Sequence, residues 1–296
     1  MQKSGSWAIA SCLLVSSSVQ SFAQDAAPPT QRVGTIQLSK DVHDAIGEGL
    51  AFLAKTQNSD GSWGDRHPVA DTSLALMAFM LQGNVPGAGR GAYGNNMDRG
   101  IAYIIGVGEK GNRGYLGTPS HHGGMYEHGL AILALSEAWG QSTNRKLGNT
   151  LKKAVDITIS AQNSYPNEPS KGGGWRYNPE PRDADLSMTV MHTVALNSAK
   201  EAGISVPDET LNRAVKYVLY CQDETSGGFG YSGPSGPGFA RTAAGVMSLL
   251  MCGVDHNHQA VKRGMRFLNS YPNQKFTGGS HYLYANYYAI QCMYQT

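Results

Sequence analysis

The chain has 296 residues, 41% of them hydrophobic and 16% charged, with a net charge of +2 and 37 glycines. Against about 25% charged residues and about 7% glycine in an average globular protein, it is poor in charge and rich in glycine. The near-neutral balance excludes the strongly basic surface of a dedicated nucleic-acid binder. The hydrophobic content excludes a disordered chain, and beyond residue 20 no apolar run approaches the ~18 residues of a membrane span.

Residues 1–23 combine Lys3, an apolar stretch from Trp7 to Val19, and Ser21-Phe22-Ala23 ahead of Gln24. That is the pattern of a cleaved secretory signal peptide, and it predicts a secreted or periplasmic protein. Ile9-Ala10-Ser11-Cys12 also resembles a lipoprotein box, but the apolar run before it is short, so a lipid anchor at Cys12 is the weaker reading. Residues 24–39, with Pro28-Pro29, read as a flexible lead-in, and 40–296 as one folded domain. Cys221, Cys252 and Cys292 follow the leader; an odd number permits at most one internal bridge, of unassigned pairing, and their apolar surroundings suit buried thiols.

Through the domain, helix-like segments alternate in kind. Those at 41–55, 96–105, 145–161, 209–221 and 259–269 are amphipathic with a charged face. Those at 72–81, 129–138, 187–199, 242–251 and 286–294 are almost free of charge. A helix apolar all round must be covered on every side, whereas a charged face marks the surface. Each pair is joined by a glycine-linked aromatic: Trp63, Tyr115, Trp175, Phe229 and Tyr282, spaced by 52, 60, 54 and 53 residues. Near-constant spacing over five copies predicts a repeat of outer helix, glycine-aromatic turn and inner helix. No such hairpin buries its apolar face alone, so the copies must stack.

The first turn, Gln57-x-x-Asp60-Gly61-Ser62-Trp63, resembles the repeat signature of squalene cyclases and protein prenyltransferases. The others keep parts of it: Gln162 with Gly172-Gly173-Gly174-Trp175, and Gln222 with Gly227-Gly228-Phe229. The resemblance implies an all-α fold, an α/α toroid of about five hairpins with inner and outer rings, in which the glutamine caps a helix end and the tryptophan packs over it. A chain of five hairpins leaves open whether the ring closes alone or with a second copy.

At the starts of the inner helices, Asp71, Glu127, Asp185 and Arg241 fall 56, 58 and 56 residues apart, which predicts one charged rim. Acids there suit helix caps and the macrodipole; Arg241 opposes the dipole and calls for an acidic neighbour or an anionic ligand. His121, His122, Tyr126, His128, Asp183, His281, Tyr282, Tyr284 and Tyr287 stand nearby. From these the expected ligand-binding residues are Asp71, Tyr126, Arg241, His281, Tyr284 and Tyr287, and the candidate catalytic ones Asp183, Asp185, Glu127 and His128. His192, seven residues beyond Asp185, reads as a core histidine. No metal set and no cofactor motif is recognisable.

Asp183-Ala184-Asp185-Leu186 resembles the Asp-x-Asp-Asp motif of class II terpene cyclases but lacks its last acid, and the chain is poor in Trp and Phe for carbocations. The Asp-x-Cys pair of prenyltransferases and the Gly-Cys-Gly-Glu-Gln of thioester domains are absent. The expectation is an exported, non-catalytic repeat protein that binds a small molecule, a glycan or a protein partner, a second copy of itself included, at the rim or central cavity. The alternative is a polysaccharide lyase or hydrolase using rim His, Tyr and carboxylates with Arg241, and the minor one a cyclase with Asp185 as acid.

Overall fold

The computed structural model describes residues 38–110, 113–118, 123–164, 172–180, 183–271 and 281–296. The expected leader with Cys12, the lead-in up to residue 37, His121, His122 and the fifth glycine turn at Gly278-Gly279 lie outside the described residues. Among those described there are ten helices and no extended strand: α1 Lys40–Thr56, α2 Pro68–Leu81, α3 Gly94–Glu109, α4 Gly124–Ala138, α5 Leu147–Ser160, α6 Leu186–Glu201, α7 Asp208–Tyr220, α8 Phe239–Met251, α9 Gln259–Asn269 and α10 Tyr282–Gln295. All ten expected segments are helical, and the class is all-α.

The two kinds of helix form two layers. The charge-poor helices α2, α4, α6, α8 and α10 pack one on the next in chain order, backed by α3, α5, α7 and α9. Helices α4 and α6 are buried along nearly their whole length, whereas α5 and α7 bury one stripe each. Leu76, Phe79, Ile132, Leu133, Met188, Leu196, Val246 and Met247 fill the space between layers, each fully buried side chain contributing about 1.5–3 kcal/mol of hydrophobic stabilisation. Packing of this extent joins only neighbours in the row, and α2 and α10 share none comparable among the described residues.

One arrangement, repeated, sets the spacing of this row. The Gln57 side-chain amide donates to Gly61 O at 2.9 Å and to Asn96 O, in the first turn of α3, at 2.9 Å. Gln162 does the same with Gly173 O at 2.7 Å and Thr210 O of α7 at 2.8 Å, and Gln222 with Gly227 O at 2.8 Å and Ala260 O of α9 at 2.9 Å. Three residues on, Arg99, Arg213 and Arg263 each reach back and donate to turn carbonyls of Asn58, Asn163 and Asp223. Each turn is thus clasped to the outer helix of the following repeat.

The clasp requires glycine. Gly61, Gly114, Gly173 and Gly227 all have positive φ (94°, 109°, 107° and 78°). A Cβ on them would stand 2.5 Å from Arg99 O, 2.5 Å from Lys153 Cβ, 2.1 Å from Arg213 O and 2.8 Å from Arg263 Cβ. The residue after each of these basic ones is small (Gly100, Ala154, Ala214, Gly264), so the helix can lie close to the turn. Trp63 and Trp175 complete the unit: their indole N–H groups donate to Leu53 O (2.7 Å) and Thr158 O (2.8 Å), carbonyls in the last turns of α1 and α5.

Backbone bonds correct the register of the repeat. The N–H groups of Trp63, Leu116, Trp175 and Phe229 are accepted by side chains of the following inner helix, namely Thr72, His128, Thr189 and Thr242. In the second copy Leu116, and not Tyr115, therefore takes the place of Trp63. Asp71, Glu127 and Arg241 each directly precede one of those acceptors, whereas Asp185 lies four residues before its own and is the N-cap of α6. The equal spacing of Asp185 with the other three is a coincidence of loop length.

Two alanine substitutions separate the clasp from simple glycine strain. Gly203, after α6, has φ 86° and open space where a Cβ would go, so Gly203→Ala should cost only the left-handed strain of about 1–2 kcal/mol. Gly173→Ala adds a collision with helical backbone and should cost at least about 1 kcal/mol more, read as the difference in unfolding free energy by equilibrium urea denaturation. Equal losses would show that close approach to α7 is unimportant.

Candidate functional site

The rim where the inner helices begin is built by the same repeat. In the third and fourth copies the residue two places beyond the turn aromatic folds over the start of the preceding inner helix: Met125 N–H donates to Tyr177 O at 3.2 Å, and Leu186 N–H to Tyr231 O at 2.8 Å. These bonds satisfy orphan donors at the N-termini of α4 and α6. They also bring Arg176, Tyr177 and Tyr231 onto the rim, beside residues that start the helices.

Asp185 is the centre of one rim cluster. Its carboxylate is fully buried; Oδ1 accepts from Met188 N–H at 3.0 Å and from the Ser187 hydroxyl, and Oδ2 accepts from Arg176 at 3.0 Å. Asp183, more exposed, lies 3.5 Å from the same guanidinium. Tyr126 donates to Ser187 Oγ at 2.7 Å, the Tyr177 and Tyr231 hydroxyls are bonded to each other, and the Arg176 guanidinium lies over the Tyr177 ring at 4.7 Å. Burial pushes the Tyr126 and Tyr231 phenols above their ordinary range. Beside this cluster opens a cleft of about 330 Å³ lined by Arg176, Asp183, Tyr217, Tyr220, Tyr231 and Ser232.

Glu127 organises a second cluster at the start of α4. It is buried; Oε1 lies 2.9 Å from His67 Nδ1 and Oε2 accepts from Thr118 N–H at 2.7 Å. Asp71 joins it electrostatically: burial raises its carboxyl above the usual range, with the His67 ring opposing and Glu127 reinforcing the shift. His67 thereby links the starts of α2 and α4.

Tyr284 stands beside the Asp185 cluster, where Tyr288, Tyr126, Asp185 and Tyr231 reinforce the rise that burial gives its phenol; the other expected residues are dispersed. His128 is fully buried behind the rim; Nδ1 accepts from Leu116 N–H at 3.0 Å, which leaves Nε2 to donate to Ala154 O at 3.1 Å. Its ring lies between Tyr115 and His192, and burial pushes it down to about 4, so it acts as a neutral structural bridge in the place threonine holds in other copies. His192 is likewise buried, against Trp175, and is held well below the ordinary histidine value by burial and by His128. Arg241, in the first turn of α8, has no acidic partner among the described residues, so of the two explanations expected for it, an acidic neighbour or an anionic ligand, the first is not met there. Tyr284 turns a buried hydroxyl inward, while Tyr287 is exposed on α10 and His281 precedes that helix in a left-handed conformation. Among the described residues no group of histidine, cysteine and carboxylate could hold a metal, and no disulfide joins Cys221, Cys252 and Cys292.

Arg176, Tyr177, Ser187, Tyr220 and Tyr231 were not expected from the sequence. Their signal is position in the repeat: Arg176 and Tyr177 follow Trp175 directly, and Tyr231 stands two after Phe229.

The depressed histidine gives a pH test. Neutral when folded and protonated near pH 6.5 when unfolded, His128 contributes stability that is complete above about pH 6.5. That stability is lost as pH falls toward about 4, at up to about 1.4 kcal/mol per pH unit. His128→Gln should flatten the fall of unfolding free energy between pH 6.5 and 4.5 relative to the parent; parallel curves would exclude the assignment.

No protein-family model and no curated protein matches the chain.

Proposed function

We propose that this is an exported α/α repeat protein, of the architecture seen in squalene-cyclase and prenyltransferase repeats, that binds a polar ligand in the cleft beside Asp185 without transforming it. The carrying observation is that the rim carboxylates are already engaged. Asp185 is committed to Arg176, Ser187 and a helix N-terminus, and Glu127 to His67 and Thr118. A general acid needs a proton it can deliver into open space, and neither carboxylate is arranged for that. The same pairing serves binding well, because it holds Arg176 in place and leaves it, three tyrosines (Tyr217, Tyr220 and Tyr231) and Ser232 lining the cleft. Four glycine-dependent turns of one design support the repeat assignment, and no helix among the described residues is long and apolar enough to cross a membrane.

The Tyr177–Tyr231 hydroxyl pair beside Arg176 favours one second reading, a lyase that removes a proton from a uronate neutralised by the guanidinium. Incubation with neutral and uronic-acid oligosaccharides decides between them. Binding alone should raise the melting temperature as ligand is added, by less in Arg176→Gln, with no unsaturated product and no new reducing ends. Either product would replace the binding assignment with the catalytic one.

A further inference from the structure

The charges at the cleft beside Asp185 do not balance. Arg176 is the one cation among the residues that line it, and two carboxylates share that guanidinium. Nη1 donates to Asp185 Oδ2 at 3.0 Å, and Nε stands 3.5 Å from Asp183 Oδ2. Neither carboxylate has a second basic partner among the described residues. The guanidinium is also held against two rings, 4.7 Å from the centre of Tyr177 and 5.5 Å from that of Tyr231. One guanidinium against two carboxylates leaves the site net negative, and the two acids are unequal. Asp185 is fully buried, whereas the Asp183 side chain is 57% exposed and lines the cleft. Hydroxyl groups make up most of the remaining lining, from Tyr217, Tyr220, Tyr231 and Ser232.

We propose that this cleft selects an uncharged sugar, and that Asp183 is the specificity-determining residue that turns acidic sugars away. The inference rests on the cleft being a binding site, as proposed for it. A ligand carboxylate drawn to Arg176 lies beside Asp183 as well, and like charges repel more strongly in a partly desolvated site than in water. A cationic ligand drawn to Asp183 lies beside Arg176 in the same way. Built-in repulsion of this kind is a general route to specificity. An uncharged sugar meets neither penalty and uses both partners: Arg176 only donates and Asp183 only accepts, which matches neighbouring hydroxyls that can each do either. Tyrosine offers such a ligand a ring face together with a polar tip. The volume of about 330 Å³ lies at the small end of the roughly 300–1,000 Å³ of ligand pockets and fits a short oligosaccharide end.

Isothermal titration calorimetry on the full chain tests this, with neutral trisaccharides of glucose, mannose and galactose, with trigalacturonate, and with the glucosamine trimer. A neutral trisaccharide should bind at least about tenfold more tightly than either charged one. Asp183→Asn should lower the ratio of the trigalacturonate Kd to the neutral Kd by about tenfold or more. Asp208, exposed at the start of α7 and nine residues before Tyr217, about 13 Å along the helix, is the control for overall charge, and Asp208→Asn should leave that ratio as in the parent. A charged trimer that binds as tightly as the neutral ones would overturn the inference, as would a ratio unmoved by Asp183→Asn or moved equally by Asp208→Asn. A capped, uncharged dipeptide and Arg176→Gln, checked for helicity by circular dichroism, separate this from the binding assignment itself. If the dipeptide binds in an Arg176-dependent way and no sugar does, the sugar selectivity falls and the binding cleft stands; if no probe binds in that way, both fall.

Discussion

The close approach of a glycine turn to the next outer helix is the constraint from which the remaining geometry follows. At Gly61, Gly114, Gly173 and Gly227 the turn backbone lies where a single methyl group would strike the helix, and in three of these copies a glutamine amide bridges the turn to that helix. Neither half suffices alone. Without glycine the carbonyls are held too far apart for the amide, and without the amide two carbonyls at a buried junction lose their donor, at about 1–3 kcal/mol. The pair therefore sets the distance between consecutive hairpins, and through it the packing of inner helix on inner helix.

The rim is a by-product of the same device. Because each turn is pinned to the following outer helix, the residues just beyond it are delivered over the start of the preceding inner helix, where Tyr177 and Tyr231 carbonyls meet unsatisfied N–H groups. Side chains at those positions gather at one edge, where they bond to one another and to Asp185. In the third and fourth copies they are Arg, Tyr and Tyr, and the cleft forms there. In the first and second copies Asp65 and Thr118 occupy corresponding places, and the rim is instead closed by the His67–Glu127 contact.

Much of this was legible in the residues. Ten helices and their division into charged and charge-free kinds follow from periodicity, since burial on all sides leaves no room for charge. The inner helices nevertheless begin earlier than periodicity suggests: α2 starts at Pro68, α4 at Gly124 and α8 at Phe239. Each first turn holds one charged residue, Asp71, Glu127 or Arg241, so the charge-free pattern begins late. His128 was misleading for a related reason. A histidine in the place of threonine looks chemical in sequence, yet its two nitrogens do the structural work of bridging Leu116 and Ala154.

By itself the sequence determined what recurs: helix, glycine turn and helix, with the glutamine and the small residues that let copies approach, because those demands are local and repeat at fixed spacing. Only the tertiary structure decided which polar residues meet. Asp185 finds Arg176 across a bridge between Trp175 and Asp185, Tyr126 finds Ser187 from another helix, and Arg241 finds no acid among the described residues. Loop lengths between copies differ by a few residues, and in a helix that is enough to turn a side chain from the rim to the core. Spacing along the chain therefore could not say which charges would face one another.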